Sequence, residues 1–291
     1  MTDYRLIAVD VDGTLLNTEG KISERTRGAL KSALAHGATL AVATGRRRRT
    51  AQPILDQLGL PHFLVASQGA AIWQDGALLA HSHLPAESAR IALEIIRRHE
   101  MVTVILGNSL VDEVLWVDGD WRANERIATY VSRNLHLVQP FRPEALDHDP
   151  IQFITMDTME RLERLDEALT GHQAPPPSED PPAQEGPTHQ APLWRVIFSR
   201  NQFTAGGALE VVGPETSKAA ALAVLCERLG ITRQQVVAFG DNINDLEMLE
   251  FAGLGVAMGN ATDDARAAAD RIGPSNDEDG IAAVLEELGL A

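Results

Sequence analysis

Arg5-Leu-Ile-Ala-Val-Asp10-Val-Asp12-Gly-Thr-Leu-Leu-Asn17 is the stretch from which the fold is read. An apolar run ends abruptly in two carboxylates two residues apart, followed by Gly13 and Thr14. A run that is apolar on both faces reads as a buried strand. It puts Asp10 and Asp12 at the carboxyl end of that strand, where α/β proteins gather their ligands. Two carboxylates so close repel each other and lose hydration, and a divalent cation would offset both costs. Taken alone, the segment also reads as a plain Asp-Gly turn.

Outward from this strand the pattern repeats. Helical spacing over residues 23–34, with Ser23 as N-cap and Gly37 as stop, leads to a strand at 39–43 ending in Thr44-Gly45-Arg46. A second helix is expected over about 47–58, interrupted by Pro53, before a strand at 63–66 and the polar run Ser67-Gln68-Gly69. This βαβαβ order predicts a parallel sheet with right-handed crossovers. The pattern returns from Ser217, with a helix at 217–229 and a strand at 235–239. That strand ends in Gly240-Asp241-Asn242-Ile243-Asn244-Asp245, and helices follow near 263–269 and 281–288.

Between these halves the rhythm changes. Helices at 85–98, 121–134 and 160–169 mix with strands at 102–106, 111–117, 151–156, 194–199 and 208–212. This is an α+β insert with an expected antiparallel sheet. We therefore expect a core formed by residues 1–81 and 200–291, and an inserted domain over 82–199. Residues 174–192 hold seven prolines, so they can neither pair in a sheet nor join a helix, and they read as an extended or mobile loop.

Composition narrows the function classes. Apolar residues make up 44% of the 291, enough for a sizeable core. The net charge of −16 argues against a nucleic-acid partner, because a phosphate backbone would be repelled. The run Arg46-Arg47-Arg48-Arg49 is the local exception; its last three residues read as a solvated helix face. No apolar run reaches membrane-spanning length. The first strand starts too early to leave room for a signal peptide, so a cytoplasmic protein is expected. Cys226 is the one cysteine and sits at helical spacing among apolar residues, as a small buried side chain.

Three core strands end in polar clusters: Asp10-Val-Asp12, Thr44-Gly45 and Asp241-Asn-Ile-Asn244-Asp245. In a parallel sheet all carboxyl ends share one edge, so the clusters can converge. Lys218 is one of three lysines in the chain, and it opens a helix, where the dipole disfavours a cation. That placement favours a functional lysine over a solvated one.

These segments resemble the four motifs of the haloacid dehalogenase superfamily, in its Cof-type (subfamily IIB) sugar-phosphatase branch. The motifs are Asp10-Val-Asp12-Gly13-Thr14, Ala43-Thr44-Gly45-Arg46, Lys218, and Gly240-Asp241-Asn242-Ile243-Asn244-Asp245. Further matches are Asn260-Ala261 and Ser275-Asn276-Asp277-Glu278-Asp279-Gly280. The resemblance implies a Rossmann-like core with an inserted α+β cap of the C2 type that closes over the site. It implies a Mg²⁺-dependent phosphatase acting on small phosphorylated metabolites. Asp10 would be the nucleophile, forming an aspartyl-phosphate, and Asp12 the general acid and base. Asp10, Asp241 and Asp245 would hold the metal, with Asp12 contributing its backbone carbonyl. Thr44, Gly45, Arg46, Lys218 and Asn244 would receive phosphate, and Asn276 and Asp277 would line the edge of the site. The resemblance also leaves room for phosphomutase-like transfer, or for a phosphometabolite-binding protein without catalysis.

Two departures stand out. The family carries Asn-Gly where this chain has Gln68-Gly69, and Gly where it has Ala219. In the insert, Asp118-Gly-Asp120-Trp121 and Arg195 are candidates for substrate contact, with a surface turn and a strand charge as the alternatives. His81 and His83 read as linker residues. Gly213-Pro-Glu-Thr-Ser-Lys218 lacks the glycine and hydroxyl that a P-loop needs around its lysine.

Overall fold

The computed structural model describes residues 3–108, 110, 113–173, 192–200 and 206–291. The proline-rich stretch, apart from Pro192, lies outside the described residues, as do the first two positions of the strand expected at 111–117. The chain divides into two compact units, residues 1–82 with 216–291, and residues 83–215.

The first unit begins with β1 (Leu6–Asp10), α1 (Glu24–Ala35), β2 (Thr39–Ala43), α2 (Arg48–Leu58), β3 (Phe63–Ala66), β4 (Ala71–Gln74) and β5 (Ala77–His81). All five β1 residues are buried, as a strand covered on both faces requires. Ser23 caps α1 by accepting from the Thr26 N–H, and Gly37 turns the chain away at a φ of +96°. Pro53 is accommodated on the exposed side of α2.

The second unit contains α3 (Ala86–Arg98), β6 (Thr103–Leu106), β7 (Leu115–Asp118), α4 (Glu125–Ser132), β8 (Val138–Pro140), β9 (Gln152–Thr158), α5 (Met159–Gln173), β10 (Arg195–Arg200) and β11 (Gly206–Val212). Its sheet runs β10-β11-β9-β6-β7-β8. Leu93, Ile96, Leu162, Leu165, Phe153 and Leu209 form the core between this sheet and its helices. The pairing is antiparallel, as expected, except between β7 and β8. Helix α4 lies between these two strands and carries the chain back, which makes them parallel. That helix is also shorter than expected, because Asn124 caps it and residues 121–123 form a separate turn.

The chain then re-enters the first unit through α6 (Lys218–Leu229), β12 (Val236–Gly240), α7 (Leu246–Phe251), β13 (Leu254–Ala257), α8 (Asp263–Ala268), β14 (Arg271–Ile272) and α9 (Gly280–Glu287). Its sheet order is β14-β13-β12-β1-β2-β3-β4-β5. The six strands from β14 to β3 are parallel, and β4 and β5 extend the sheet as an antiparallel hairpin. Leu6, Ala8, Val236 and Ala238 pack on one face against Leu222, Leu225, Cys226, Met248 and Leu249. Each such leucine contributes roughly 1.5–3 kcal/mol on burial.

Both expected boundaries of the insert move. Ser82 stays with the first unit, where its N–H bonds the Ala70 carbonyl at 2.8 Å and its hydroxyl meets that of Thr216 at 2.6 Å. The return falls between 215 and 216, not at 200, because β11 pairs along its length with both β9 and β10.

Registers then place the site. β1 lies between β12 and β2, with Asp10 level with Ala43 and Val9 level with Phe239. Asp10, Thr44 and Asp241 therefore leave three adjacent strands at one height on the carboxyl edge.

Candidate active site

After Asp10 the backbone coils tightly. The Leu15 N–H bonds the Asp10 carbonyl at 3.1 Å, and the Leu16 N–H bonds that of Val11 at 2.9 Å. Gly13 makes this turn with a φ of +87°, and a Cβ there would lie 2.4 Å from an Asp241 carboxylate oxygen. Only glycine meets both demands. The turn delivers Thr14, whose hydroxyl donates to Asp241 Oδ1 at 2.8 Å.

Lys218 is the first residue of α6 behind its N-cap, Ser217. Its ammonium donates to Asp10 Oδ1 and to Asp245 Oδ1, both at 2.6 Å, and it is 2% exposed. Asp245 uses its other oxygen to accept the backbone N–H groups of Asp241 and Asn242, at 3.0 and 3.1 Å. Gly240 lets this turn close, since a Cβ there would sit 2.6 Å from the Asp245 Cβ.

Asp10, Asp241 and Asp245 each offer an oxygen within 4.8 Å of the others, and all three are buried. Three carboxylates thus gather around the Lys218 ammonium in one buried cluster. Burial, and then the Asp245 charge, push the Asp10 carboxyl well above the ordinary carboxylate range. Burial works against the Lys218 charge, yet Asp10 and Asp245 outweigh it and hold the ammonium above its usual value. Neighbouring carboxylates thus raise both groups. An all-oxygen donor set of three buried carboxylates fits a hard divalent cation.

The second cluster lies beside the first. Thr44 is buried, and its hydroxyl accepts from the Arg46 N–H at 3.1 Å. The Arg46 guanidinium forks onto both oxygens of Asp12, at 2.7 and 2.5 Å. Arg46 thus reaches Asp12, whose carboxylate stands outside the buried cluster. Arg47, expected on a solvated face, is buried and precedes α2 as its N-cap residue. Arg48 stacks on Trp73 at 4.2 Å from the ring centre, while Arg49 is exposed.

Residues 67–69 arch over this cluster. All three have positive φ (50°, 58° and 99°), and the first two are not glycine. Each such non-glycine residue costs on the order of 1–3 kcal/mol and persists only where its surroundings enforce it. Gln68 Oε1 accepts from Asn244 Nδ2 at 3.2 Å. Asn244, expected to receive phosphate, thus also has a protein partner that no local sequence pattern announces.

Asn276 and Asp277, expected at the edge of the site, bond to the loop after β1. Asn276 Nδ2 donates to the Leu16 carbonyl at 2.8 Å, and Asp277 accepts from the Thr18 N–H at 2.8 Å and from its hydroxyl. Asn260 completes this clamp on the loop after β1, donating to the Gly13 carbonyl at 2.8 Å.

In the second unit, the Asp118 carboxylate is taken by Arg97 and Asp120 caps the turn at 121–123. Arg195 lies half-buried on β10 opposite Val212. Cys226 is buried in the core. Among the described residues, no helix is long and apolar enough to cross a membrane.

The profile of haloacid dehalogenase-like hydrolases matches residues 7–285. The chain is 30% identical over 297 residues to the 5-amino-6-(5-phospho-D-ribitylamino)uracil phosphatase YcsE of Bacillus subtilis, covering 99% of this chain and 97% of that protein. It is 30% identical over 266 residues to the HMP-PP phosphatase of Serratia proteamaculans, covering 89% and 85%. A crystal structure of a haloacid dehalogenase-like hydrolase from Bacteroides thetaiotaomicron superimposes with a TM-score of 0.72 at 26% identity, covering 98% and 99%.

Proposed function

We propose that this chain, which belongs to the haloacid dehalogenase-like hydrolase family and is a phosphatase, hydrolyses small phosphomonoesters with Mg²⁺ through an aspartyl-phosphate on Asp10. The observation that carries this reading is the buried Asp10–Lys218–Asp245 array beside Asp241. The substrate class is a sugar phosphate or a related phosphorylated metabolite, in keeping with relatives named for a phosphoribitylamino-uracil and for HMP-PP.

Asp10, Asp241 and Asp245 would hold Mg²⁺, with the Asp12 backbone carbonyl, and Asp245 would act directly or through water. The ion, when bound, supplies neutralising charge to the phosphoryl oxygens. The chain's own groups carry the bonds. Lys218 fixes one Asp10 oxygen, and the other attacks phosphorus. The bond to the leaving oxygen breaks as Asp12 gives that oxygen a proton. Asp12 then takes a proton from water, which attacks phosphorus, frees Asp10 and releases inorganic phosphate. Thr44, Gly45 and Asn244 receive the phosphoryl oxygens. Arg46 must release at least one Asp12 oxygen for Asp12 to carry the proton, and an incoming phosphate offers its guanidinium an equivalent bidentate partner.

Phosphate release from a panel of phosphorylated metabolites tests the reading. Mg²⁺-dependent turnover by the wild type, and its loss in a folded Asp10→Asn variant, is the expected result. Equal turnover by that variant would remove Asp10 as the nucleophile.

A further inference from the structure

The arch at residues 67–69 touches every cluster that the phosphatase reading assigns to phosphate. The Ser67 N–H bonds the Arg46 carbonyl at 2.9 Å, and the Gln68 N–H bonds the Thr44 carbonyl at 3.1 Å. The arch is therefore tied by its backbone to the loop after β2. Gly69 presses against the opening of α6, where a Cβ would lie 2.2 Å from the Ser217 carbonyl oxygen. The start of the Lys218 helix is thus seated on the arch. These contacts hold the left-handed backbone in place, and that backbone aims the Gln68 side chain into the site.

The side chain is 2% exposed and lies between two assigned phosphate contacts. Its amide fills the space over Gly45, where a Cβ would sit 2.5 Å from Gln68 Nε2. Its oxygen holds one N–H of Asn244, 176 positions away in sequence. A free Asn244 carboxamide would rotate. With one N–H committed to Gln68, its plane is fixed and its second N–H is left to the ligand.

We propose that Gln68 is a positioning residue of the phosphate site, acting through the Asn244 carboxamide. The proposal rests on the reading that Thr44, Gly45 and Asn244 receive phosphate. It assigns a role to the position at which this chain departs from the Asn-Gly pattern.

The test is a double-substitution cycle, titrating inorganic phosphate calorimetrically into the Mg²⁺-loaded protein. Gln68→Leu keeps the bulk of the side chain and removes the hydrogen bond. Its dissociation constant should rise about fivefold to tenfold, the worth of one neutral hydrogen bond. In an Asn244→Ala background the same change should have no further effect. Independent actions would instead multiply, with Gln68→Leu costing a further factor of about fivefold to tenfold in that background. Multiplication, or an unchanged affinity in Gln68→Leu, overturns the proposal while leaving the phosphate site intact. Absence of phosphate binding by the wild type overturns the site reading and this proposal with it. Gln68→Asn guards against misfolding, since asparagine accepts the left-handed backbone but is one methylene too short to reach Asn244. It should show the same loss at an unchanged melting temperature, and wild-type affinity in it counts against the proposal.

Discussion

Lys218 sets the electrostatic balance of the site. A lysine buried at a helix start is opposed by both desolvation and the helix dipole, and here two carboxylates at 2.6 Å offset both. Lys218→Met would leave Asp10 and Asp245 buried without their counter-charge. We expect it to destabilise the metal-free protein by about 3–5 kcal/mol in urea unfolding, as for other broken buried pairs. A change below about 1 kcal/mol would place the pair in the class of exposed ion pairs and contradict the balance described. This lysine could be singled out in the sequence because its helix-opening position has no solvation rationale. Gln68 could not. Its side chain matters through a left-handed backbone and a partner 176 positions away, and neither leaves a local pattern. Arg47 misleads for a related reason: three arginines in a row suggest a solvated face, but the chain turns into α2 at that point and buries the first of them.

At the scale of elements, the turn after β1 does the positioning. It puts Gly13 against Asp241 and hands Thr14 to the same carboxylate, while Asn260, Asn276 and Asp277 clamp the loop beyond it. Gly13→Ala would meet both a positive φ and a contact of 2.4 Å with Asp241. Because Asp241 is itself buried and held by Thr14, the clash has no inexpensive relief. The expected result is a fall in kcat of at least about tenfold, with roughly 1–3 kcal/mol lost in stability; wild-type kcat and Tm would show that the turn can relax. The parallel strands around this turn are legible, because a doubly buried strand is apolar along its length and its polar residues collect where it leaves the sheet. The β4–β5 hairpin is equally written in the chain. Asp75 and Gly76 both have positive φ and form the tight two-residue turn that such a dipeptide specifies, a signal masked by the strand–helix rhythm before it. Strand β11 is recognisable as a strand, but which sheet it joins depends on partners far away in sequence.

For the molecule as a whole, the two-unit organisation was legible in the change of rhythm after β3, and its limits were not. Strand patterns do not say where one sheet ends and another begins, and the return to the first unit is fixed only by the pairing of β11 with β9 and β10. The first unit holds the buried Asp10, Asp241 and Asp245 cluster, so its stability should be linked to divalent cations. Adding Mg²⁺ to chelator-treated protein at about 100 times its dissociation constant should stabilise it by about 2.7 kcal/mol, read as a rise in Tm. Asp241→Asn should abolish that rise. An equal rise in the variant would place the ion elsewhere. A covalent phosphoryl group on Asp10 can be caught by borohydride trapping during turnover. Reduction of an aspartyl-phosphate leaves homoserine, which peptide mass spectrometry locates. Homoserine is expected at position 10, formed only with both substrate and Mg²⁺ present. Sustained turnover with residue 10 unmodified, or homoserine at another aspartate, would contradict it.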